Sequence, residues 1–323
     1  MTSDMTVTGI ILAAGKSTRM KSRRPKVLHE VCGKPMLQFV LEACYGAGCS
    51  RVIVVVGHGK EEVKARFETD NRITWVEQGE QLGTGHAAKM CLEELKRHHT
   101  GDVFILAGDG PLITAGVLHT LRKAHHDDRA AASMATAVLD DPTGYGRIIR
   151  DADGQFLEIV EQVDCTAEQR ELREVFPSIY CVKADELAFA LVRLRNENKK
   201  GEYYLTDIYG ILRRAGRRVL AVQAVTAEDV LAVNSRDQQA QVDAVMQDRI
   251  QRELRDSGVS IASSVNVYIE AGVTVGPDTV IHPFSFVGRD SSIGADCVIG
   301  PFAKVPRESV VPEGSEIPGN AEM

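Results

Sequence analysis

No two of the seven cysteines (32, 44, 49, 91, 165, 181 and 297) are spaced as C-x-x-C, and their number is odd. That excludes a disulfide framework and a paired-cysteine zinc site, and it points to reduced thiols. The chain has no apolar run near the roughly 20 residues that a membrane helix needs. Its start, MTSDMTVTG, lacks the basic segment and apolar stretch of a secretory signal, so a cytoplasmic protein is expected. Positive charge is not in excess either: 38 Lys and Arg face 45 Asp and Glu, for a net charge of −7. A broad nucleic-acid footprint is therefore not expected. With 44% hydrophobic and 26% charged residues in 323, the chain has the composition of a globular protein long enough for two domains.

Against that acidic background one basic stretch stands out. Residues 9–18 read GIILAAGKST, and the cations continue through Arg19, Lys21, Arg23, Arg24 and Lys26. The ending GKST suggests a P-loop, but the spacing forbids it. A P-loop needs a glycine five places before Gly15, where this chain has Ile10. Ile10 to Ala14 reads instead as a buried strand, and the loop begins near Ala13. Backbone N–H groups and cations after a first strand suit a polyphosphate. The alternative is a solvated basic turn.

Further along, VTGIILAA, RVIVVVG, ITWVEQ, DVFILAGD and AAASMATAVL read as strands. Helical patterns lie between them at 35–47, 60–67, 84–96 and 114–124. Such alternation predicts a Rossmann-like, mostly parallel sheet with flanking helices, whose ligands bind at the carboxyl ends of the strands. The basic loop and Asp109 both fall on that edge. RIIRDADGQFLEIVEQ reads as a hairpin turning at Asp153 and Gly154, with helices at 185–196 and 205–215. Residues 234–256 form a connecting helix capped by Asn234 or Ser235.

From Ile269 to Ile317 an aliphatic residue recurs every six positions, nine times without a break. The following position is Gly at 276, 288, 294 and 300 and Pro at 306, 312 and 318. This hexapeptide period predicts a short left-handed parallel β-helix of about three coils. So short a prism is expected to self-associate. The chain is thus divided into an α/β domain at 1–233, a linker helix at 234–257 and a β-helix at 258–323.

Six islands fall together in the first part: LAAGKSTRMKSRRPKVLHEVCGKPML, EQLGTGHA, AGDGPLI, DPTGYGRI, GEYYLTDI and VNSRDQ. With them the chain resembles the bacterial N-acetylglucosamine-1-phosphate uridyltransferases, the pyrophosphorylase half of the bifunctional GlmU family, over about residues 7–250. The resemblance implies a transferase that joins UTP to a sugar 1-phosphate and releases pyrophosphate. Arg19 and Lys26 match the family's catalytic cations, and Asp109 and Asn234 match its Mg²⁺ ligands. Leu12, Ala13, Ala14, Gly15, Gln78, Gly83, Thr84 and Gly108 would hold the nucleotide. Gly144, Tyr145, Glu161, Tyr204 and Thr206 would hold the sugar. The implied assembly is a homotrimer through the β-helix.

Two departures from the family pattern bear on function. Phe176 stands where the family usually has a sugar-holding Asn, so glucose 1-phosphate or a related sugar phosphate competes with N-acetylglucosamine 1-phosphate as substrate. The repeats stop well short of the family's long β-helix, so no acetyltransferase activity is expected. His282 is read as a corner residue of the coil. The rival class is a non-catalytic assembly subunit that keeps the fold and uses the repeats to recruit partners.

Overall fold

The runs IILA, VIVVV and VFILA are too short for ordinary helices and too uniformly apolar for a half-exposed strand, so each needs cover on both faces. In the computed structural model, which describes residues 6–16, 18–97 and 101–319, they lie in strands Val7–Ala13, Arg51–Val56 and Asp102–Ala107. These pair in parallel, with Ile11 beside both Val54 and Leu106, and Ile73–Glu77 extends the parallel set beyond Arg51–Val56. Alternate residues feed two separate apolar layers. Ile11, Val54 and Leu106 join one, while Ile10, Ile53 and Ile105 join the other.

Beyond Asp102–Ala107 the sheet becomes mixed. Tyr180–Lys183 inserts antiparallel between Asp102–Ala107 and Ala132–Val138, which also pairs in parallel with Val219–Gln223. Glu174–Phe176, Gly146–Arg150 and Phe156–Val160 complete ten strands by antiparallel pairing. The last two are the expected hairpin, with Gly154 at a φ of +75° in its turn. Several helix ends differ from the sequence reading. The first helix is Met36–Gly46, because Lys34–Pro35 pairs with Glu30–Val31 in a small hairpin. The stretch expected as one helix at 84–96 is two, Thr84–Lys89 and Leu92–Arg97. This first unit spans Met1–Leu28 and Leu37–Asn234.

The second unit comprises His29–Met36 and Ser235–Met323. Its helix is Arg236–Asp256, and the Ser235 side chain caps it by accepting from the Gln238 N–H. The repeats form two-residue parallel strands whose partners lie 18 residues apart: Ile269 with Val287, Val275 with Ile293, Ile281 with Ile299. Three six-residue faces per turn give the expected triangular prism, with Ile269, Ile281, Val287, Ile299 and Val305 in its core. Each face ends in a left-handed corner. Gly272, Asp278, Phe284, Asp290, Asp296, Phe302, Glu308 and Gly314 all have positive φ. The glycine after the aliphatic position has a separate cause, since a Cβ on Gly276 would lie 2.4 Å from the Ala295 nitrogen of the next coil.

Candidate active site

Parallel strands deliver their carboxyl ends to one edge. Ala13 pairs with Val56, Val56 with Glu77, and Leu12 with Ala107, so the residues that follow these strands converge. A cavity of about 370 Å³ opens there, lined by Leu12, Ala13, Ala14, Gly15, Lys26, Gln78, Gly83, Thr84 and Asp109 among others. Eight of the residues expected around the nucleotide or its phosphates therefore share one wall with Asp109.

Lys26 begins a short 3-10 turn, Lys26–Leu28, whose Val27 and Leu28 are buried. Its ammonium donates to the Asp109 carboxylate and to the Asn234 amide oxygen, the latter at 3.0 Å. Asp109 stands in the turn after its strand, and its own carbonyl accepts the Val233 N–H at 3.0 Å, which ties the Asn234 segment to that turn. Because Ser235 does the capping, the Asn234 side chain is left to face Lys26. One carboxylate and one amide oxygen around a cation form a hard-oxygen donor set that fits Mg²⁺ when waters and phosphate oxygens complete it. Among the described residues no group of three or more His, Cys, Asp or Glu side chains forms a metal cluster.

On the base side, Gln78 continues the strand edge through its N–H to the Val56 carbonyl at 2.8 Å. Its amide nitrogen donates to the Gly83 carbonyl at 3.2 Å and lies 3.1 Å from His86 Nδ1. The amide nitrogen is thus turned toward the Gly83 carbonyl and the His86 ring. The Thr84 hydroxyl accepts the Leu205 N–H at 3.1 Å. Gly108 lies beneath the wall, with its N–H on the Leu12 carbonyl at 3.0 Å.

Arg19 is not in this lining; it sits exposed in the turn Thr18–Met20. The sugar set is likewise outside it. Glu161 accepts from the Thr206 hydroxyl at 3.1 Å, and burial raises its pKa above the ordinary 4.5. The Tyr204 hydroxyl is buried without a hydrogen-bond partner among the described residues. Tyr145 donates to the Val230 carbonyl at 3.0 Å, and burial together with the Asp109 charge raises its phenol. Gly144 adopts a φ of +92° and donates to Gln162 at 3.4 Å. Phe176 is buried, edge-on to Tyr180 at 4.8 Å and to Tyr209 at 5.9 Å.

Sequence reasoning missed several lining residues. Gln81 donates to the Ala14 carbonyl at 2.7 Å, and His58, Ser178, Tyr180 and Glu202 complete the wall. The EQLG island contained the signal for Gln81. Ser178, at a φ of +63°, carried none.

Residues 9–176, more than half of the chain, match the MobA-like NTP transferase domain. Residues 272–307 match the bacterial transferase hexapeptide repeat. The bifunctional protein GlmU of Brevibacillus brevis is 44% identical over 278 residues, covering 86% of this chain and 60% of the relative. GlmU of Alkaliphilus metalliredigens is 44% identical over 279 residues, and that of Heliobacterium modesticaldum 42% over 280, each again covered to 60%. The chain thus spans about three-fifths of the length of the curated relatives it matches.

Proposed function

From the premise that the chain belongs to the MobA-like NTP transferase family, we propose that it is a uridylyltransferase that makes a UDP-sugar, most simply UDP-N-acetylglucosamine. The observation that carries this reading is the Lys26 ammonium held between Asp109 and Asn234 at the mouth of a strand-end cavity. A phosphate oxygen of the sugar 1-phosphate forms a bond to the α-phosphorus of UTP in line, the α–β bridging P–O bond breaks, and pyrophosphate leaves. The nucleophile is already an anion, so no general base is required. What the site must supply is proximity and positive charge.

Lys26 provides a compact charge for the phosphates, and Arg19 a second one from its exposed turn. Asp109 and Asn234 would hold Mg²⁺, which supplies further charge neutralisation on the polyphosphate. The backbone at Leu12, Ala13, Ala14 and Gly15, underpinned by Gly108, with Gln78, Gly83 and Thr84, would receive the base. Glu161, Thr206, Tyr204, Tyr145 and Gly144 would receive the sugar hydroxyls. With Phe176 withdrawn into the core, glucose 1-phosphate stays a rival substrate.

The same reading divides the chain into the transferase domain (1–233), the linker helix (234–257) and the β-helix (258–323). The repeats serve to assemble a homotrimer and carry no acetyl transfer, and the substrates place the protein in the cytoplasm. The test is pyrophosphate release from UTP, Mg²⁺ and a panel of sugar 1-phosphates. Release with N-acetylglucosamine 1-phosphate is expected. No release with any sugar 1-phosphate of the panel favours the assembly subunit.

A further inference from the structure

The chain leaves the transferase unit at His29, returns at Leu37 and leaves again at Ser235. Lys26 lies just before the first departure, and Asn234 is the last residue before the final one. The excursion His29–Met36 is a hairpin, closed by the Met36 N–H on the His29 carbonyl at 3.0 Å, with Cys32 and Gly33 at its tip in left-handed conformations.

That tip is seated in a cradle within the second unit. Asp243 of the helix Arg236–Asp256 accepts the Cys32 N–H at 2.8 Å and is itself fixed by the Tyr268 hydroxyl at 3.0 Å. The Cys32 carbonyl accepts the Ala271 N–H at 2.8 Å. One helical turn before Asp243, Gln239 donates to the Glu30 carbonyl at 2.7 Å. Glu270, buried and clamped by Arg307 at 2.6 and 2.7 Å, lies so close that a Cβ on Gly33 would fall 2.3 Å from its carboxyl carbon. Both faces of the tip are thereby specified, and Cys32 is fully buried.

We propose that Asp243 is a positioning residue for Lys26, acting through the hairpin. Lysine has four rotatable side-chain bonds, so the direction of its ammonium depends on how firmly its backbone is held. Val27 and Leu28 anchor the turn by burial, and the hairpin that Asp243 holds begins at the next residue, His29. This proposal rests on the nucleotidyl-transfer reading.

The test compares Asp243→Ala, Asp243→Asn and Val311→Ala, the last removing a prism-core side chain away from the hairpin. Pyrophosphate release, thermal midpoint and hydrogen exchange of residues 26–36 are measured on the full chain. Asp243→Ala is expected to lower kcat about 10- to 100-fold with a smaller change in KM for UTP. Asn keeps an acceptor for the Cys32 N–H and is expected to recover most of the rate. Val311→Ala is expected to lose thermal midpoint and keep kcat. A wild-type kcat in Asp243→Ala, or an equal kcat loss in Val311→Ala, overturns the proposal. If the unmutated chain releases no pyrophosphate, the transfer reading fails instead, and exchange decides the latch. Faster exchange spreading into residues 26–28 in Asp243→Ala supports it, and exchange confined to 29–36 overturns it.

Discussion

Lys26 shows how little a single side chain decides alone. Its ammonium has two oxygen partners drawn from positions 109 and 234, and only the fold brings these together. Replacing it by Ala is expected to lower kcat/KM for UTP about 100-fold or more, because in the proposed role a charge that would face the transferring phosphate is lost without a substitute. A loss below about threefold in steady-state kinetics contradicts that role. Glu161 yields a pH prediction. Burial raises its pKa above the ordinary 4.5, and the Thr206 hydroxyl opposes that rise. As pH falls through the raised value, the carboxylate gains a proton and, in its proposed sugar-binding role, would accept hydroxyls less well. Thr206→Val removes the opposing hydrogen bond, so the acid limb of kcat/KM for the sugar phosphate is expected to move to higher pH. A pH profile with an unmoved limb rules this out.

Elements differ in how openly the sequence declares them. The strands Val7–Ala13 and Asp102–Ala107 were legible because burial on both faces demands an unbroken apolar run. The hairpin Glu30–Pro35 was not, since two-residue strands carry no periodicity and Lys34–Pro35 reads as a helix start. The inward rungs of the prism were legible from their six-residue period, its corners only in part. Gly and Asp announce left-handed backbone at most corners, but Phe284, Phe302 and Glu308 do not. Each such residue costs about 1 kcal/mol, so Glu308→Gly is expected to stabilise the prism by up to about that amount in denaturant unfolding. A lowered midpoint argues against strain at this corner.

The helix Ala115–Asp127 and strand Asp102–Ala107 hold a buried polar group that tests stability. His125 faces Ser133 at 2.8 Å, and burial lowers its pKa from 6.5 to about 4. Between those values the unfolded chain binds a proton that the folded chain does not, so stability rises with pH across that window. Asp102, held low chiefly by Arg122 and His126 against its own desolvation, adds a loss of the same sign at still lower pH. Urea midpoints from pH 7 to pH 5 are expected to fall, and to fall less in His125→Phe. A steeper fall in that variant contradicts the assignment.

For the whole molecule, the chain threads between two units so that both departures adjoin candidate phosphate-site residues, a relation invisible in sequence because positions 32 and 243 are far apart along the chain. The second unit also displays Phe284 and Phe302 stacked at 5.0 Å on its surface, 57% and 61% exposed. An apolar pair of that kind suits contact between copies. The double change to Ser is expected to lower the assembly mass measured by light scattering, and an unchanged mass removes these corners from the interface.

The central claim is that Lys26, Asp109 and Asn234 bring two anionic phosphates together with the help of a divalent ion. The most direct measurement is the Mg²⁺ dependence of pyrophosphate release from UTP and N-acetylglucosamine 1-phosphate, in the unmutated chain and in Asp109→Ala. Saturable Mg²⁺ activation is expected in the first and at least about a 100-fold loss in the second. Full activity of Asp109→Ala at the same Mg²⁺ concentration would contradict it.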